Sequence, residues 1–415
     1  MTLDGRGLAR LRILFVSWWL PYPPQSFGGA IRTYQILRHL AERHNVTLLA
    51  YGGPEALDDA AALSALGITV RLVPPPPTIT GPKRFVQARS LLGVRSFDAG
   101  RLRSPAMQGA IDEVLAQAEH AAILVELSQM AHFRFPPSPL LIIDEQNIEF
   151  ELHRRLARVE PGFTRKAFNW IEAIKISREE PRVWKRAGTC LVTSDREAAI
   201  IRNLVPSTPT VVVSNGVDTS YFAPTDPSHR DPSTLVFTGR MSYRPNTDAA
   251  MFFAREVLPI IRRRRPEVVL YLVGQDPPTE VQRLAGPHVV VTGDVDDVRP
   301  YLARAAVVVA PVRAGSGTRL KILEALAMGK AVVATRLACE GLRLDGERHV
   351  LLADAAPDFA EGVLRVLGDP DLASALGRKG RALVESAYGW PAVLEPLDEI
   401  LEALKPAEPE LATAT

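Results

Sequence analysis

Short apolar runs rich in β-branched residues alternate with amphipathic stretches along most of the chain. In the first half the runs fall at 12–17, 46–51, 69–73, 123–127, 140–144, 189–193 and 210–214. In the second half they fall at 235–238, 268–273, 289–292, 307–310, 331–334 and 350–352. They are apolar throughout, as strands of a parallel sheet covered on both faces should be. Helical stretches between them imply right-handed crossovers and doubly wound sheets. About thirteen strands is large for a single sheet, so the pattern predicts two.

The break between them is legible. The segment SNGVDTSYFAPTDPSHRDPST, between Val213 and Leu235, has no sustained apolar period and reads as a hinge between Rossmann-like halves. The expected units are 1–215 and 216–387, with a C-terminal helix at about 388–405 packing back on the first and a disordered tail at 406–415. Residues 74–106, opening PPPPTITGPKRF, read as an irregular excursion. Residues 151–188 read as helix interrupted near Pro161 and Gly162, with ten Lys/Arg against five Asp/Glu.

Composition narrows the class. A chain of 415 residues with 47% hydrophobic and 23% charged residues is globular and long enough for two cores. With 49 Lys+Arg against 47 Asp+Glu it lacks the basic surplus of a nucleic-acid binder, so no nucleic-acid partner is expected. Its two cysteines, Cys190 and Cys339, form no CxxC pair, which fits a reducing cytoplasm and argues against a zinc site. The N-terminus lacks a signal-peptide layout, and no stretch reaches the ~18 apolar residues of a membrane span.

Three places carry candidate chemistry. After the first strand, Gly28 and Gly29 precede a helix, where free N–H groups favour an anion; taken alone, such a pair is more often a plain turn. In VVVAPVRAGSGTRLKILEALAMGKAVVAT a buried strand leads into a loop at Gly315, Ser316, Gly317 and Thr318, then a helix from about Thr318 to Met328. Loop amides and the positive helix end make an anion site. Arg319 and Lys321 add cations that oppose the helix dipole unless an anion arrives. Glu324, on the same helix, could accept from a vicinal diol such as ribose or merely face solvent. The third place is LVFTGRMSYRPNTDAAMFF, where Arg240 follows a strand at the sheet's carboxyl edge and Asn246 or Thr247 is expected to cap a helix. The sequence Asp294-Val295-Asp296 imitates a metal-binding DxD but follows a strand, so Asp296 or Asp297 is expected to cap a helix; no metal role is expected.

Taken in order, the GG loop, VSNGVDTSYFAP, TGRM, VTGDVDDVRPYLARAAVVVAPV, GSGTRLKILEALAMGKAVVAT and SAYGW resemble retaining glycosyltransferases of family 4 with the GT-B fold, nearest to those of bacterial exopolysaccharide or cell-envelope assembly. The resemblance implies two Rossmann-like domains facing a cleft and a nucleoside diphosphate-sugar co-substrate, with no other cofactor. It places Gly29 and Arg240 on the donor diphosphate and Gly293 and Val295 against the nucleobase. It further places Glu324 on the ribose, and Gly315–Thr318 on donor sugar and phosphate. Ser316 stands where the family's E-x7-E motif has its first glutamate. Pro245, beside Arg244, stands where a lysine often follows the GR arginine, so Lys321 or Arg319 is expected to compensate. The family's histidine after the fourth strand has no aligned match; His132 is the nearest candidate, with Glu126 and Gln129 as others.

The activity implied is transfer of a sugar to a hydroxyl with retention, on a glycan or lipid-linked acceptor. The basic 151–188 stretch, with Trp170 and Trp184, could rest on an anionic membrane or equally show its charge to solvent. A nucleotide-sugar epimerase and a non-catalytic nucleotide-sugar-binding partner remain as alternatives.

Overall fold

The computed structural model describes residues 10–22, 28–80, 87, 90, 91, 93–226 and 229–405. The expected tail at 406–415 and part of the 74–106 excursion lie outside the described residues. Thirteen strands occur among those described: β1 (Arg12–Val16), β2 (Asn45–Tyr51), β3 (Thr69–Val73), β4 (Ala122–Glu126), β5 (Leu140–Glu145), β6 (Thr189–Val192) and β7 (Thr210–Val212), then β8 (Thr234–Thr238), β9 (Val269–Val273), β10 (Val289–Gly293), β11 (Val307–Ala310), β12 (Val332–Ala334) and β13 (Leu351–Leu352).

The strands form two sheets, β3-β2-β1-β4-β5-β6-β7 and β10-β9-β8-β11-β12-β13, with every pairing parallel. Parallel neighbours need crossovers, and the helices supply them. Those of eight residues or more are α1 (Gly28–Arg43), α2 (Leu57–Ser64), α3 (Pro105–Gln117), α4 (Glu149–Val159), α5 (Phe163–Trp184), α6 (Asp195–Leu204), α7 (Arg244–Phe252), α8 (Leu320–Ala327), α9 (Ala356–Gly368), α10 (Pro370–Ala387) and α11 (Trp390–Glu402).

Each sheet has its own apolar packing. β8, β11 and β12 are buried along their whole length, which is why they read as unbroken apolar runs. The first sheet is packed on both faces by separate clusters, and one contains Trp390, Val393, Leu394, Leu397 and Leu401 of α11. The chain therefore leaves the second lobe and finishes on the first. The two connecting passes meet where Val217 bridges Gly389.

Two expected caps differ. The helix after Arg240 starts at Arg244 with Tyr243 as N-cap, because Pro245 fits the first turn and begins the helix earlier. Asn246 and Thr247 therefore lie inside that turn, and Thr247 Oγ1 donates to Met241 O at 2.6 Å. The helix after Asp297 has Val298 as N-cap, although Asp297 Oδ1 still accepts from the Arg299 N–H at 2.8 Å. The helix of the glycine-rich segment begins at Leu320, not Thr318, with Arg319 as N-cap.

Candidate functional site

The carboxyl ends of both sheets meet at a seam, and the glycine-rich loop lies in it. Gly315 has φ +131 and Gly317 φ +72. A Cβ on Gly315 would sit 2.7 Å from Arg319 Nη2, and one on Gly317 would sit 2.3 Å from Gln146 O of the other lobe. Backbone conformation and close approach both require glycine there. Gly28 opens α1 directly opposite, where a Cβ would lie 3.4 Å from Leu320 Cδ1. The first residues of α1 and α8, from different lobes, are thus in contact, with Gly29 half-buried beside them.

Two cations crowd the start of α8. Arg319 Nη1 donates to Ser316 O at 2.8 Å, while its buried Nη2 has no hydrogen-bond partner among the described residues. Lys321 Nζ donates to Asn246 Oδ1 at 2.8 Å and lies 4.1 Å from the Phe237 ring centroid. Burial, with Arg319 adding repulsion, pushes the Lys321 ammonium down to about 7. Burial likewise lowers the Arg319 guanidinium. Glu324 is pushed up to about 7 by burial, against the pull of Lys321. No carboxylate is hydrogen-bonded to Arg319 or Lys321 among the described residues. The arrangement is electrostatically unfavourable until an anion enters.

Arg240 lies on the neighbouring strand end. Gly239, with φ +145, lets Lys321 Nζ come within 2.7 Å of where its Cβ would be, and the Asn246 amide donates to Arg240 O at 2.9 Å. The Arg240 guanidinium is partly exposed and pairs with Asp276 at 2.7 Å. The Asp276 N–H in turn donates to Asp294 Oδ1 at 3.1 Å. Gly293, with φ +70, leaves open space on its Cβ side, and Val295 packs on the second lobe's core. The described residues contain no group of three or more His, Cys, Asp or Glu placed to hold a metal.

On the first lobe Glu126 ends β4, fully buried. It accepts from the Ser17 and Thr33 hydroxyls and, at 2.9 Å, from Gln146 Nε2. Burial raises its carboxyl to about 8. His132 turns inward: Nδ1 lies 2.5 Å from Gln129 O, and the enclosed Nε2 has no partner. Burial, and the guanidiniums of Arg103, Arg95 and Arg186, hold the ring down to about 4, so it is neutral at pH 7. All these neighbours belong to the first lobe. The structure thus gathers Gly28, Gly29, Arg319, Lys321 and the loop at one point, while the hydrogen bond of His132 stays within the first lobe.

Sequence reading missed the groups that hold this site. Arg32 of α1 is buried and donates to both Asp144 oxygens, with Nη2 at 2.7 Å. Its Nη1 donates to Val213 O at 2.7 Å and Asn215 Oδ1 at 3.2 Å, on the segment that leads into the second lobe. Asn215 Nδ2 continues the chain of bonds to Thr318 Oγ1 at 2.8 Å. An arginine on the mostly apolar inner face of α1 was the available signal. Ser316 Oγ accepts from the Ile148 N–H at 3.0 Å, across 168 residues, and nothing in the sequence marks that pairing.

Two parallel sheets, of seven and six strands, whose carboxyl ends meet at a seam have the GT-B fold. Solved structures bear this out. Sucrose-phosphate synthase from Thermosynechococcus elongatus matches with TM-score 0.69 at 18% identity, covering 95% of this chain and 99% of that one. Anabaena HepE in complex with UDP-glucose matches with TM-score 0.67 at 13% identity, covering 95% and 100%.

Residues 232–369 match the family described as Glycosyl transferases group 1. Phosphatidyl-myo-inositol mannosyltransferase of Mycobacterium tuberculosis is 31% identical over 208 residues, 47% of this chain and 54% of the relative. The GDP-mannose-dependent alpha-(1-6)-phosphatidylinositol monomannoside mannosyltransferase of that organism is 30% identical over 212 residues, 45% and 54%. The matched region spans about half the length of these curated relatives.

Proposed function

We propose that this protein is a retaining glycosyltransferase of family 4. It moves a sugar from a nucleoside diphosphate donor to a hydroxyl of a glycan or lipid-linked acceptor in cell-envelope glycan synthesis. The observation that carries this reading is the pair Arg319 and Lys321, crowded without a bonded carboxylate at the N-terminal end of α8, facing the start of α1. A diphosphate relieves that crowding. As the glycosidic bond breaks, its electron pair goes to the leaving phosphate, so donors preorganised there stabilise the transition state more than the bound substrate. In this reading Lys321, Arg319, Arg240 and the loop amides supply the charge a divalent cation would otherwise supply. Gly28 and Gly29 let α1 approach the phosphates, Glu324 accepts from the ribose hydroxyls, and Gly293 and Val295 flank the base. His132, neutral and enclosed, would serve the acceptor side.

Support for a lipid-bound acceptor comes from α5. Phe163 is 84% exposed, and Trp170, Ile171 and Ile174 share its face. Ser90 and Ser96 bond to Glu172 and Glu179 of α5, which holds Leu91 and Val94 alongside. Arg165, Lys166 and Arg178 are exposed around this apolar face. Such a surface fits the inner face of an anionic membrane, and no helix among the described residues is long and apolar enough to cross one.

The test is incubation of the purified protein with UDP-, GDP-, ADP- and dTDP-sugars, with and without anionic lipid extract. Transfer from one donor to a lipid-extractable product, with the donor's anomeric configuration kept, is expected. Binding without conversion would identify a non-catalytic partner, and an isomerised donor an epimerase; either result contradicts the proposal.

A further inference from the structure

The seam between the lobes holds a set of charges that sugar transfer does not use. Arg155 of α4 donates from Nη1 to Gly315 O at 2.7 Å and grips the Glu340 carboxylate at 2.6 and 3.0 Å. Arg196 of α6 reaches the same carboxylate at 3.1 Å. Glu151 ties both arginines, at 3.4 Å to Arg155 and 2.5 Å to Arg196. Four alternating charges thus run from the first lobe, through Glu340 in the turn after β12, and back. Leu152 and Leu156 of α4 pack on Ala314 beside them, and Glu160, just after α4, pairs with Arg244 of α7.

We infer that α4 is an interlobe latch, and that Arg155 is a positioning residue through which the first lobe sets the conformation of the glycine-rich loop. The geometry is specific. A trans peptide points its C=O and N–H in opposite directions. With Gly315 O drawn towards α4, the Ser316 N–H of the same peptide must point away from α4. Ser316 O is meanwhile held by Arg319 Nη1 at 2.8 Å. The Gly315 and Ser316 carbonyls are therefore both occupied, which fixes the direction of the Ser316 and Gly317 amides. Gly341, with φ +83, completes the fit, since a Cβ there would lie 2.8 Å from the Thr318 methyl. Lobe opening breaks the Arg155 and Arg196 contacts to Gly315 O and Glu340 together, so the first lobe holds the loop only while the latch is closed. The four side chains are 15–29% exposed, so salt screens the network in part.

The latch is a statement about lobe and loop geometry; its use in ordering the donor loop rests on the transferase reading. Its test needs no substrate. Glu340→Gln removes one charge from a partly exposed position outside the core, and Arg155→Ala removes the fork; thermal melts establish that each folds. Small-angle scattering and hydrogen exchange are then compared with wild type. Both variants should show a larger radius of gyration, and loop amides 315–319 should exchange at least about tenfold faster. Wild-type protein should expand towards the variants in about 1 M salt. Arg155→Lys should fall between, keeping the charge and losing the bidentate grip. Wild-type scattering and exchange in both folded variants overturns the latch. Failure of any nucleotide sugar to bind or react would overturn the transferase reading and leave these measurements to decide the latch alone.

Discussion

At the scale of single residues, the molecule is held by groups whose partners lie far away in sequence. All three guanidinium nitrogens of Arg32 donate to Asp144 or to the 213–215 segment, inside a region closed to water. Arg32→Ala strands Asp144 and should cost about 3–5 kcal/mol in urea unfolding, whereas a joint Arg32→Met, Asp144→Leu change should cost clearly less. Equal losses in the two would contradict an uncompensated buried charge. Lys321 makes a second prediction. Its ammonium, held at about 7 in the free protein, loses its proton as pH rises past that point. A bound anion raises it again, so binding between the free and bound values takes up a proton and weakens as pH rises. Glu324, ionising over the same range, pushes in the same direction. Calorimetry with pyrophosphate should show affinity falling by up to about tenfold per pH unit above 7, with proton uptake at pH 8. Lys321→Met should bind more weakly and show a flatter profile; a wild-type profile in that variant contradicts the role. The candidate cations were legible in the sequence because RLK at the start of a helix offends its dipole. Ser316 was legible only as a departure. Its partner, the Ile148 N–H, belongs to a loop of the other lobe that no local pattern connects to it.

Among elements, the strands were the most readable features. All thirteen apolar runs became strands, their ends shifted by at most two residues; the inner ones, such as β4, β8, β11 and β12, are buried on both faces, which leaves no polar alternation to confuse them. Helix starts were less readable. Asn246 looks like a cap by composition, but Pro245 at the first turn decided the boundary, and the freed amide went instead to Arg240 O and Lys321. The break near Pro161 and Gly162 emerged as the α4–α5 turn. What composition left open about this pair was which side each charge and ring faces. Trp184 is buried and donates to Glu145 at 2.8 Å, so only Trp170 of the two tryptophans reaches the outer face. That face supports a prediction. The wild-type protein should sediment with anionic vesicles, and Phe163→Ser with Ile174→Ser should release it without changing the thermal midpoint. Unchanged sedimentation of the double variant would remove α5 from membrane contact.

For the molecule as a whole, the chain runs through one sheet, crosses at 213–217, builds the second and returns in α11 to finish on the first. The sequence pattern carried the two sheets and the segment between them. It did not carry the distance between lobes, since that depends on pairings such as Arg155 with Glu340 and Asn215 with Thr318, each separated by more than a hundred residues. Those pairings bring the glycine-rich loop against the first lobe and create the anion-ready seam on which the functional reading depends. Arg240 belongs to the second lobe's share of that seam, linked to Lys321 through Asn246. The most direct measurement is a structure of the complex with a saturating nucleoside diphosphate. The account predicts the diphosphate between the start of α1 and the loop at 315–319, within hydrogen-bond reach of Lys321 and Arg319, with the ribose hydroxyls on Glu324. A nucleotide seated anywhere else, or an empty seam at saturating concentration, would contradict it.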